Sequence, residues 1–150
     1  MTNSLDIHKE LISAMGDAVV VCDHDGNIIV WNPAAERMFG HSESEVLGKS
    51  LDLIIPDRLR QRHHDGYMKT MQTGVTRYGN DLLKVPAINK RGEKMSIAFT
   101  VAMTHASDGK VSSIVSVIRD ETDRFAKDRA NRDKIAELEE KLKAMSVQKS

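Results

Sequence analysis

Hydrophobic and polar residues alternate most regularly between residues 94 and 104. Met95, Ile97, Phe99, Val101 and Met103 take one parity, and Ser96, Ala98, Thr100, Ala102 and Thr104 take the other. A period of two over this length predicts an antiparallel strand with one buried face. Shorter apolar runs predict further strands over 18–22, 28–31, 77–88 and 111–118. Turn chemistry separates them: Asp23-His24-Asp25-Gly26-Asn27, Asn89-Lys90-Arg91-Gly92-Glu93 and Ser107-Asp108-Gly109. Pro86 puts the 77–88 strand at an edge or a bulge, because proline cannot donate to a ladder.

The helical signals have a different spacing. Leu5, Ile7, Leu11, Ile12 and Met15 sit like one face of a short helix, which Gly16 ends. Asn32-Pro33 starts a second helix that runs through Phe39 and stops at Gly40. Residues 42–46 form another turn, closed by Gly48. Residues 51–56 are extended or a single turn, since the residue before Pro56 avoids the helical region. Asp57 is expected to cap a longer helix over 58–73, ended by Gly74. From Asp120 onward, charge dominates and neither glycine nor proline occurs. There Ile135, Leu138, Leu142 and Met145 alternate gaps of three and four, the a/d seam of a coiled coil. Upstream the same register meets Asp128 and Asn131, so the rival expectation for this segment is a solvated tail. These elements define an α+β chain: a five-stranded antiparallel sheet with helices on one face, expected over 17–122. An N-terminal helical cap (1–16) and a coiled-coil-like helix for dimerisation or docking (123–150) flank it.

Composition narrows the function. The 150 residues carry 22 basic and 22 acidic side chains, a formal net charge of zero. Phosphate binding wants a basic surplus, so nucleic acid is not an expected partner. One cysteine, Cys22, excludes an internal disulfide and a cysteine-paired zinc site, and suits a reducing compartment. The first residues lack the basic and apolar regions of a signal peptide, and no stretch approaches the roughly 20 apolar residues of a membrane span. A cytoplasmic protein without membrane contact is the expectation. No Ser-His-Asp set and no carboxylate pair stands out, so enzyme activity is not expected.

The run Asp25-Gly26-Asn27-Ile28-Ile29-Val30-Trp31-Asn32-Pro33-Ala34-Ala35-Glu36-Arg37-Met38-Phe39-Gly40 resembles the opening motif of PAS domains. Ser44-Glu45-Val46-Leu47-Gly48-Lys49 is similar to the motif that follows it. Ile118-Arg119-Asp120-Glu121-Thr122 resembles the Asp-x-Thr exit that joins the last PAS strand to a signalling helix. The resemblance covers about residues 5–124. It implies the PAS fold, a role in signal transduction and a homodimer, with an unknown downstream protein.

Within that family, His64-Asp65-Gly66-Tyr67 resembles the His-x-x-Tyr of haem-binding PAS domains in bacterial oxygen sensors. The resemblance implies haem b as a cofactor, His64 as its iron ligand, and sensing of a diatomic gas or a redox state. A neutral imidazole suits iron. Counting back from Lys90-Arg91-Gly92 puts Leu83 where those sensors carry an arginine over bound gas, and leucine cannot hydrogen-bond oxygen. Phe99 and Val101 fall at their apolar distal positions, and Met95 or Met103 is a candidate sixth ligand. A related cofactor-free PAS group carries Arg-His-x-x-Gly-Tyr, which names His63 instead of His64. The two point about 100° apart on a helix, so only one faces the interior. Tyr67 is expected to pack rather than to hydrogen-bond. The alternatives to haem are a cofactor-free interaction module and a pocket for a small organic ligand. A flavin light sensor needs a cysteine in the mid-domain helix, and Cys22 lies on the first strand.

Overall fold

The alternating segment becomes β4 (Lys94–His105), and its two parities separate except at Ala98, which is buried on the face expected to be polar. Met95 and Ile97 are buried with Phe99 packed beside them, whereas Thr100, Ala102 and Thr104 are exposed. The computed structural model describes residues 4–76 and 81–148. Ahead of β4 come α1 (Ser4–Ala14), β1 (Ala18–Asp23), β2 (Ile28–Trp31), α2 (Pro33–Phe39) and α3 (Glu43–Val46). A 3-10 turn (Leu51–Ile54), α4 (Asp57–Thr73) and β3 (Leu83–Ile88) follow, and β5 (Val111–Asp120) and α5 (Thr122–Gln148) complete the chain. The five strands form one sheet in the order β2-β1-β5-β4-β3. Every pairing is antiparallel.

The register puts Ala18, Val20 and Cys22 of β1 on the same sheet face as Ile118 of β5 and as Trp31 and Ile28 of β2. Ile97, Met95 and Ala87 continue that face through β4 and β3. Ala35, Phe39, Val46 and Ile54 from the helical segment close over it to form the core. Ala34 and Ala35 lack bulk, so α2 can lie close to the sheet. Trp31 and Phe39 meet with ring centroids 5.5 Å apart. Truncating either to alanine costs about 3–5 kcal/mol at a buried site. Gly26 has a φ of 83°, so this turn suits glycine on backbone grounds; a Cβ there would only reach ordinary contact with the Tyr67 ring, at 3.8 Å.

Several boundaries differ from the expectation. The strand expected over 77–88 starts at Leu83, and residues 77–80 lie outside the described residues. Pro86 sits on β3, which is an edge strand. Asp57 is the first helical residue of α4 rather than its cap; Pro56 takes the cap position, and Asp57 instead forms an ion pair with Arg60. β5 runs two residues further, because Arg119 and Asp120 pair with Ala98 and Ile97. α1 forms, but none of its residues is buried: Leu5, Ile7 and Leu11 are exposed, as is Met15 just after it.

The chain divides after Asp120 into two compact units. The second is α5, a 27-residue helix about 40 Å long. Lys141 pairs with Glu137 one turn before it, 3.2 Å away. Ile135, Leu138, Leu142 and Met145 are exposed along it.

Candidate functional site

The interior face of β3–β5 and the helix α4 carry the residues singled out from the sequence. Leu83 of β3 is half-buried and pairs with Phe99 of β4, which in turn pairs with Ile118 of β5. Val101 is half-buried and pairs with Ser116. Met95 pairs with Ala87 and is buried in the core. The sheet therefore brings Leu83, Met95, Phe99 and Val101 to one face.

On α4 the half-buried positions include Leu59, His63, Tyr67 and Met71, spaced by four. This stripe leaves His64 exposed. His63 lies over Tyr67 with ring centroids 5.9 Å apart. Burial holds the His63 imidazole below its ordinary range; the Asp52 carboxylate opposes that shift and His64 adds to it. His63 is thus an inward, neutral imidazole, which is the form that iron takes. In donor chemistry a neutral imidazole suits haem iron, and His64 is exposed. Among the described residues, no three His, Cys, Asp or Glu side chains converge to hold a metal ion.

Tyr67 does more than pack. Its hydroxyl donates to the carbonyl of Asp23 at the end of β1, and burial pushes its pKa up. The same carbonyl accepts from the Gly26 amide, and Asp23 Oδ1 accepts from the amides of Asp25 and Asn27. Tyr67 therefore fastens the middle of α4 to the β1–β2 turn. Cys22, buried beside that turn, has its thiol pushed up to about 12 by burial and then by the Asp23 charge. A thiol held in its neutral form is a poor nucleophile.

Two residues escaped the sequence reading in part or entirely. Asn32 was legible as a cap, and it does accept from the Ala35 amide at 3.1 Å. It also accepts from the Val19 amide and donates to the carbonyls of Ile12 and Asp17. His41 carried no local signal beyond its i,i+4 spacing to Glu45; it lies near Trp31, Glu45 and Lys90, and only the fold brings Lys90 there.

A five-stranded antiparallel sheet in this order, with short helices and a long one between its second and third strands, defines the PAS fold. A profile of that fold matches residues 8–120, and the chain belongs to the PAS family. It is 34% identical over 123 residues to an uncharacterised protein of Azorhizobium caulinodans, covering 81% of this chain and 16% of that one. It is 35% identical over 65 residues to the sensor protein FixL of Bradyrhizobium diazoefficiens, covering 43% of this chain and 13% of FixL. To the oxygen sensor protein DosP of Escherichia coli it is 29% identical over 106 residues, covering 71% of this chain and 13% of DosP. The chain thus spans less than a fifth of the length of these relatives. The PAS domain of a Colwellia psychrerythraea protein superimposes with a TM-score of 0.69 at 18% identity, covering 81% of this chain and 99% of that domain. At that identity the likeness is one of fold alone.

Proposed function

We propose that this PAS domain is a sensory relay in which β5 carries a change at the interior sheet face into α5, and α5 joins two copies. The carrying observation is the place of β5. It is hydrogen-bonded to β1 on one side and β4 on the other, and only Glu121 separates its last residue from α5. Relay requires two arrangements of α5 that differ in affinity for the signal. The occupant of the α5 seam is a second copy of the chain. Ile135, Leu138, Leu142 and Met145 lie at a and d, with Lys134 at g and Glu139 at e, and opposite charges at these positions face each other between parallel helices. Solution mass tests this reading. The full chain is expected as a dimer and a chain ending at Thr122 as a monomer; a monomeric full chain overturns it.

A second reading gives the domain haem b. It draws on the His-x-x-Tyr spacing and on the likeness to FixL and to DosP, an oxygen sensor. Bound haem would supply an iron centre for a diatomic gas or an electron. The spacing names His64 as the iron ligand and the half-buried position names His63, while Leu83, Phe99, Val101 and Met95 furnish apolar walls and Tyr67 anchors α4. An absorption spectrum after reconstitution decides. A Soret band lost in His64→Ala alone supports His64, and one lost in His63→Ala alone moves the iron to His63. No Soret band removes haem and leaves the relay reading standing.

A further inference from the structure

His41 sits in the loop between α2 and α3, away from α4 and from both histidines discussed above. Its side chain is 16% exposed. The ring stands edge-on to Trp31, centroids 6.3 Å apart and planes at 75°, and the Trp31 indole N–H donates to the His41 carbonyl at 3.0 Å. Nδ1 lies 3.8 Å from Glu45 Oε2, and Nε2 is buried with no hydrogen-bond partner. The two Glu45 carboxylate oxygens accept from Lys90 Nζ at 2.8 and 2.9 Å, and the Lys90 amide donates to the Phe39 carbonyl at 2.8 Å. Gly40, whose φ of 83° suits glycine, lies against this turn: a Cβ there would stand 3.4 Å from the Lys90 Cβ. Glu45 is thus shared between His41 and the turn that connects β3 to β4.

We propose that His41 is a proton-operated clasp: its neutral ring packs beside Trp31 and Glu45, and protonation expels it and, through Gly40, disturbs the Phe39 carbonyl that accepts from the Lys90 amide, which loosens the β3–β4 turn. The argument is one of valence. The carboxylate beside Nδ1 favours the tautomer with its proton on Nδ1, which leaves Nε2 as a bare lone pair. An added proton therefore goes to Nε2, where there is no acceptor, and a buried charged donor without a partner must move to water. The charged groups facing the ring are Glu45 from α3, Lys49 after it and Lys90 from the turn, and β2 contributes the uncharged Trp31. Glu45 favours the proton and both lysines oppose it. Burial is the largest effect and holds the imidazole below its ordinary value of 6.5. A depressed folded-state value means that the folded domain binds fewer protons than the unfolded chain. The stabilisation is fully present above pH 6.5 and is lost as pH falls through the folded value. The turn begins β4, which carries Met95, Ile97, Phe99 and Val101, so acidification would reach the interior face without any ligand.

Trp31 is the single tryptophan, so its fluorescence reports on this ring. Titration of the full chain from pH 8 to 5 is expected to give a transition centred below 6.5, absent in His41→Gln and kept in His63→Gln. Hydrogen exchange at the Lys90 amide, corrected for its intrinsic pH dependence, is expected to rise several-fold across the same range in the wild type only. An unchanged fluorescence transition in His41→Gln, or a Lys90 amide equally protected at both ends, overturns the clasp. Should His41→Gln fail to fold, NMR titration of the wild-type histidine rings replaces it. A His41 ring that titrates while keeping its proton contacts to Trp31 then overturns the proposal.

Discussion

Asn32 shows how much a single side chain can carry here. It is 3% exposed. Its oxygen accepts from the amides of Val19 and Ala35 and its nitrogen donates to the carbonyls of Ile12 and Asp17. Two acceptor and two donor sites exhaust an amide side chain. Asn32→Ala should leave these groups unpaired and destabilise the fold by about 3 kcal/mol. Asn32→Asp keeps both acceptances but turns a carboxylate toward two carbonyls, so it too should destabilise. Urea unfolding midpoints measure both changes; an alanine variant within about 0.5 kcal/mol of wild type would show that the network is dispensable. Only one of the four bonds was legible beforehand. Asn before Pro announces a helix start, but bonds to Ile12, Asp17 and Val19 need chain segments that no local pattern brings together.

At the scale of elements, strands were easier to read than helix faces. β4 declared itself through alternation because every second side chain meets the same environment. α4 gave a mixed signal: its 17 residues include Arg58, Arg60, Arg62, His63, His64 and Asp65, and the inward stripe is only partly apolar. Hydrophobicity therefore could not choose between His63 and His64, and the packing of Leu59, His63 and Tyr67 was needed to orient the helix. The helix α5 forms where the sequence predicts one, and Ile135, Leu138, Leu142 and Met145 stand out on it in a charged segment; their pairing with a second copy rests on the proposal above. Its polarity yields a test of strand direction. In a parallel pair, Lys134 of each copy meets Glu139 of the other. Lys134→Glu should weaken the dimer by about 1 kcal/mol over the two pairs, roughly fivefold in Kd, and adding Glu139→Lys should restore it. An antiparallel pair instead sets g opposite g and e opposite e, so Lys134 does not meet Glu139 and the second change does not restore what the first alters. Sedimentation equilibrium showing no rescue would therefore reject the parallel arrangement.

At the scale of the molecule, the fold was legible in almost all its parts because glycines, prolines and apolar runs punctuate the chain in the PAS order. The candidate residues were less legible, because they lie on β3, β4 and α4, and sequence spacing does not say which of them face the core. The same sheet order has a consequence for how such a domain is built into larger proteins. Ala18, where the sheet begins, pairs with Ile118 near its end, and the Arg119 guanidinium closes the pair onto Asp17 at 3.2 Å. The incoming and outgoing segments of the chain are therefore neighbours, separated by one strand spacing, about 4.8 Å. A domain threaded in this way behaves like a bead clipped onto a string. It can be inserted, duplicated or exchanged without spreading apart whatever precedes and follows it.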